Sequence, residues 1–196
     1  MKLSFTTLGC PDWSLQEIVE NASRMGFDGV EFRGIQDEMD ISKLPEFTRD
    51  LEKTKKMLSK HKIAVSGIAI SARFAVIDRE EKEKHFEETR RNLKLAAQLN
   101  ARVVRVFGGH IPEGYTIKKM MPVLAENLRQ MGDEAQDYGV TLALETHDDW
   151  TNSMIVSQVM EEVNHPMSAY CGICITPSAS IMSLQRRPTR TYRPTL

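Results

Sequence analysis

Long apolar runs are missing from this 196-residue chain. None approaches the roughly 20 residues that a membrane span needs, so no membrane partner is expected. The opening MKLSFTTLGC lacks the apolar length of a secretory signal. Basic excess is missing too. A net charge of -1 argues against a protein that holds nucleic acid by bulk charge. Cysteine is scarce: three residues, an odd number, imply no disulfide framework and a reducing, cytoplasmic compartment. What remains is 41% hydrophobic and 27% charged, an ordinary globular composition with length enough for one sizeable core.

One absence is local. Residues 1–166 hold all 27 acids and 22 of the 26 basic residues, a net of -5. Residues 167–196 hold no Asp, Glu or Lys, only Arg186, Arg187, Arg190 and Arg193, together with two of the three cysteines. At the preceding density about five acids are expected there. The composition breaks at Pro166.

Before that break the chain is regular. LSFTTLG at 3–9 suits a first strand. Ser14 with Glu17 has the spacing of a capping box, followed by an apolar stripe of Leu15, Ile18, Val19 and Ala22 that ends near Gly26. FDGVEFR reads as a second strand, and Pro45–His61 as an amphipathic helix. Further strands are read in IAVSGIAIS, ARVVRVFGG and Thr141–Leu144, and helices over Glu80–Leu99, Ile117–Tyr138 and Ser153–Asn164. The helix-to-strand junctions near 26, 63, 101 and 140 lie 37, 38 and 39 residues apart. Such β-α units imply an α/β protein with a parallel sheet covered by helices. Two architectures compete. A doubly wound sheet fits the length, but its first turn lacks a Gly-rich phosphate loop. A (β/α)₈ barrel needs eight units, about 300 residues at this period, and only about five are complete.

The chemistry gathers at strand ends. VTLALETHDDW runs from buried strand into Glu145, His147, Asp148 and Asp149. Burial without a partner is costly for Glu145, and two partners suit it: a divalent metal ion, or an arginine such as Arg105. Alternation puts Glu145 and His147 on one side. Glu31 and Arg33 end the second strand, paired with each other or facing substrate. Gly108, Gly109 and His110 end the fourth; the glycines permit close approach of a ligand or simply a turn. His61, His85 and His165 lie near or on helices and receive no role. Cys171 and Cys174 match C-x-x-C, but no second ligand pair is spaced for zinc and the motif does not open a helix, so the match is read as accidental.

At this point LSFTTLGCPDWSLQEIVENASRMGFDGVEFR resembles the first unit of the xylose isomerase-like TIM barrels, the sugar phosphate isomerase/epimerase family, and RVVRVFGG and LALETHDDW resemble its fourth and fifth strands. The resemblance spans residues 1–166 and implies a (β/α)₈ barrel, cut short after about five β-α units. It implies a divalent metal (Mn, Mg, Zn or Co), with Glu145 as its first ligand and His147 beside the substrate. Glu31, Arg33 and His110 are the further candidates for substrate contact. The implied activity is proton transfer between adjacent carbons of a small sugar or sugar phosphate, with a homo-oligomer possible. Metal-dependent abasic-site endonucleases share the barrel, but the net charge of residues 1–166 disfavours them. A non-catalytic binding module that uses the Arg-rich tail is the third alternative.

The family's sixth strand carries a pattern like N-V-G-V-L-W-D-x-H-H-P, whose Asp is the second metal ligand. Here MSAYCGICITP stands instead. Reading the third base of each codon with the first two of the next permits V-G-V-L-W-D-(M/L)-H-H-P from Met167 onward. The same shift permits Glu at Met182-Ser183 and at Gln185-Arg186. Residues 167–196 are therefore read as an aberrant tail, out of frame by one base lost in the gene or in its sequencing, with a natural divergent tail, Arg-rich and flexible, as the rival reading. A chain so altered is expected to keep at most one family metal ligand, and to be inactive.

Overall fold

A computed structural model of the chain describes residues 1–176 and 179–185, with side chains through Cys171. Seven strands lie side by side in chain order. They are β1 (Ser4–Thr6), β2 (Gly29–Phe32), β3 (Ala64–Arg73), β4 (Val103–Phe107), β5 (Thr141–Glu145), β6 (Ser168–Thr176) and β7 (Ala179–Gln185). The first six run parallel; β7 returns antiparallel along β6. Five helices make the crossovers: α1 (Leu15–Arg24), α2 (Leu51–Lys60), α3 (Arg79–Gln98), α4 (Ile117–Tyr138) and α5 (Ser153–Val163).

A doubly wound sheet reverses its strand order partway; this one never does. Sequential parallel order is the winding of a TIM-type barrel, and that settles the competition between the two architectures. Among the described residues β1 pairs with β2 alone, so the wall is an open arc of a barrel.

Local signals account for the elements. Ser14 and Glu17 form the reciprocal capping box at the start of α1, with Ser14 N–H donating to Glu17 Oε2 at 2.8 Å. Gly139, at φ +63°, ends α4 in the left-handed conformation that turns the chain into β5. Asn152 caps α5, its side chain accepting from Met154 N–H at 2.9 Å. One face of the sheet packs Val30, Phe32, Val104, Val106, Leu142 and Leu144 against Ile18, Leu93 and Leu124 of the helices, all essentially solvent-free.

Two boundaries differ from the sequence reading. The helix expected from Pro45 starts at Leu51; Ile41–Lys43 and Pro45–Phe47 are 3-10 turns instead. Thr48 breaks the run, with backbone φ -117° and ψ -97° and its hydroxyl donating to Leu44 O at 2.9 Å. The first strand stops at Thr6. The Thr7 hydroxyl donates to Gly34 O at 2.7 Å and accepts from Arg33 N–H at 2.8 Å, which pins the chain where β2 delivers Arg33.

Candidate functional site

Strand alternation turns Arg105 and Glu145 away from the helices, onto the face that lines the inside of a barrel. In register, Ala69 stands beside Arg105 on one side and Ala143, then Ala169, on the other. Three alanines leave the width that one arginine side chain fills. Its Nη1 donates to Glu145 Oε2, and its Nε lies 4.0 Å from Glu31 Oε1. The side chains of Arg105, Glu145 and Glu31 are 7%, 4% and 13% exposed, so the cluster is cut off from water. Burial raises the Glu145 carboxyl above its ordinary range, against the opposing charges of Arg105, His147 and Arg33. Cys171 stands opposite Glu145 in register on β6, and its thiol is pushed up to about 12, first by burial and then by Glu145. A thiol so held stays protonated near neutral pH and is a poor nucleophile.

A second group of charges lies closer to solvent. A cavity of about 340 Å³ opens between Arg33, Arg73, Phe107, His110, His147 and Asp148. Arg33 Nη2 donates to Ser71 Oγ at 3.1 Å, and Ser71 N–H donates to Glu88 Oε1 at 2.9 Å. Burial lowers the Arg33 guanidinium pKa, and the charge of Arg105 lowers it further. His147 Nδ1 lies 2.8 Å from Asp148 Oδ1, and His110 Nε2 3.7 Å from the same oxygen. The Phe107 ring divides the two groups. Arg105 sits 4.8 Å and Arg33 5.8 Å from its centroid, and the His147 ring meets it edge-on at 5.0 Å.

The two glycines after β4 serve the protein itself. A Cβ on Gly108 would stand 2.2 Å from Trp150 Cδ1. Trp150 is fully buried, and its indole N–H donates to Gly109 O at 2.9 Å. Gly109, at φ +83°, packs under the Arg73 side chain. The close approach read at this position is that of Trp150 and Arg73.

Of the candidates from sequence, Glu145 and Glu31 meet on Arg105, while Arg33, His110 and His147 meet around the cavity. His165 lies 3.1 Å from Asp133, away from this site, while His85 is half-buried beside Glu81 and within reach of the charge of Arg73. Sequence reasoning passed over Arg73, Ser71 and Phe107. Their signal was position, since each closes a buried strand where Arg33 closes β2. Among the described residues no three His, Cys, Asp or Glu side chains converge as a metal site. Glu145 alone, already paired with Arg105, does not make one. The expected second ligand, one base out of frame near Gly172 and Ile173, lies beyond the described side chains, as do Cys174 and the tail arginines.

A family model described as xylose isomerase-like TIM barrel matches residues 19–181, running past Pro166. Solved structures share the fold. The probable 3-DHS dehydratase AsbF of Bacillus anthracis, involved in petrobactin synthesis, is 19% identical with a TM-score of 0.72, over 88% of this chain and 62% of that one. The 3-keto-D-glucoside 4-epimerase YcjR of E. coli is 15% identical with a TM-score of 0.72, over 88% and 68%. The IolI protein with a bound zinc atom is 20% identical with a TM-score of 0.74, over 87% and 62%. The chain thus spans about three-fifths of the length of most of these relatives. No curated protein matches it.

Proposed function

The chain belongs to the xylose isomerase-like TIM barrel family, and on that premise we propose that its parent activity is divalent-metal-dependent isomerisation or epimerisation of a sugar or sugar phosphate. The observation that carries the reading is Glu145, a carboxylate held away from water at the carboxyl end of the fifth parallel strand. Barrel enzymes keep their chemistry at that end. Structural relatives include a sugar epimerase and a zinc-bound barrel, which agrees with the substrate class and with a metal.

Glu145 is the first metal ligand in this reading. The described residues supply one ligand where a working centre needs several, so no catalytic step is routed through a metal. The chain's own residues have other tasks. Arg105 keeps Glu145 in place and offsets its charge in the absence of other cations. Arg33, His110 and His147 face the bound sugar, with the His147 ring held 2.8 Å from Asp148 Oδ1. Phe107 excludes water between the two groups.

The tail completes the proposal. Residues 167–196 differ from 1–166 in composition although β6 and β7 extend the same sheet; they are translated one base out of frame, and the hidden frame holds the aspartate that joins Glu145. The chain as printed then binds metal weakly and is inactive in the cytoplasm. Two experiments test this. Reading the nucleotide sequence at Pro166 separates an intact frame, which contradicts the tail proposal, from a one-base shift that restores the motif. A frame-restored protein, assayed with Mn²⁺ on ketoses and their phosphates, is expected to exchange substrate C–H with solvent deuterium and to lose that exchange in Glu145→Gln. No exchange in the restored protein contradicts the functional reading, and equal activity from the unrestored chain contradicts its inactivity.

A further inference from the structure

The geometry points to an oxyanion pocket: Arg33 and Arg73, on the ends of adjacent strands, bind the phosphate or carboxylate group of the substrate. The inference rests on the sugar-isomerase reading and narrows its substrate class to acidic sugars.

The argument is one of unbalanced charge. The cavity of about 340 Å³ carries two guanidinium groups and one carboxylate, Asp148. Asp148 is already engaged, 2.8 Å from His147 Nδ1 and 3.7 Å from His110 Nε2. Arg33 donates to the neutral Ser71 hydroxyl at 3.1 Å, while its Nη1 is buried with no acceptor among the described residues. Arg73 meets no carboxylate within ion-pair distance among the described residues. The acids of the adjoining cavity that Arg73 shares are Asp78 and Glu81. Asp78 caps α3 by accepting from Glu81 N–H at 2.8 Å, and Glu81 lies 3.7 Å from His85. An arginine with an unmet buried donor is costly. Two guanidinium groups facing one space are the geometry that recognises phosphate or carboxylate. The buried Glu31 and Glu145 do not fill this role, because they belong to Arg105; Glu88, whose charge also acts on Arg33, accepts from Ser71 N–H and makes no ion pair with Arg33 among the described residues. The volume lies at the lower end of ligand pockets and suits a single small molecule.

The test needs neither metal nor turnover, so it stands apart from the activity assay. The full chain is titrated with inorganic phosphate, against chloride at equal ionic strength, by calorimetry and by melting temperature. A hexose phosphate and a hexuronate form separate arms that distinguish a phosphate from a carboxylate as the natural group. Binding is expected in at least one arm, absent for the neutral hexose, and weakened about tenfold or more by Arg73→Gln and by Arg33→Gln. Arg73→Gln alters an exposed side chain and leaves the fold intact; Arg33→Lys retains the charge if Arg33→Gln is poorly folded. Arg49→Gln, at a distant exposed arginine, is expected to change nothing. No binding in any arm overturns the inference, as does binding that survives both arginine substitutions. Oxyanion binding without isomerase activity in the restored protein would leave the pocket standing and remove the functional reading.

Discussion

Two groups of charge sit within one barrel mouth and are treated in opposite ways. The inner group, Glu31, Arg105 and Glu145, is closed on itself and shielded by Phe107. The outer group, Arg33 and Arg73 with two histidines, is left short of negative charge and open to solvent. The contrast separates charges balanced within the chain from charges left for an oxyanion. A buried ion pair is tolerated when each partner has the other, and breaking it strands a charge in a medium that cannot solvate it. Arg33 and Arg73 have no carboxylate of their own within ion-pair distance among the described residues, and Arg33 keeps a buried donor unmet, so both are available for recognition.

That contrast is broken most severely at Arg105. Arg105→Met leaves two buried carboxylates unpaired, and a loss of about 3–5 kcal/mol at neutral pH is expected in urea unfolding. Adding Glu145→Gln to it is expected to recover a large part of that loss; no recovery would mean that Arg105 acts by packing alone. Next comes the support beneath the outer group. Gly108→Ala drives a methyl into Trp150, and about 1–3 kcal/mol of destabilisation is expected, with a visible change in tryptophan fluorescence.

A smaller effect is the pH dependence. The Glu145 carboxyl is held above its ordinary value of 4.5, chiefly by burial. The folded chain therefore takes up a proton there more readily than the unfolded chain. The Glu145 contribution to stability falls as pH rises from 4.5 through the folded value, and Glu145→Gln is expected to flatten that slope. Glu88, also raised by burial, has the same sign. Asp40 has the opposite sign. Burial alone would raise it, but hydrogen bonds from Ser42, Arg91 and Asn92 carry it below 3.8, so its contribution is lost only in stronger acid. The smallest effect belongs to the outer group: Arg73→Gln is expected to shift stability by no more than about 0.5 kcal/mol while weakening oxyanion binding about tenfold or more.

Much of this architecture was legible in the residues. The junctions RMGFDGVEF, KHKIAVSGI, QLNARVVRV and DYGVTLALE mark each strand because buried parallel strands need apolar runs at a steady interval. Ser14 and Glu17 announced their cap because a capping box is local. Glu145, His147, Glu31, Arg33 and His110 stood out as polar residues where apolar strands end. What escaped was pairing across distance. Arg105 lies 40 residues before Glu145, and only strand register decides that the two meet, although Arg105 had been noted as one partner that would suit. Gly108 and Gly109 read as room for a ligand or as a turn; that Trp150 packs against Gly108 depends on a turn after β5. The helix start at Pro45 was misplaced because proline followed by an amphipathic stripe reads the same whether it opens a helix or a 3-10 turn.

In the proposed function Glu145 is one member of a metal centre whose aspartate lies one base out of frame. The most direct measurement is Mn²⁺ titration of the printed chain and of the frame-restored protein side by side, followed by calorimetry, each with its Glu145→Gln variant. The account predicts tight, Glu145-dependent binding in the restored protein and at least about a hundredfold weaker binding in the printed chain, as expected when most ligands are missing. Equally tight, Glu145-dependent binding in both chains would contradict it.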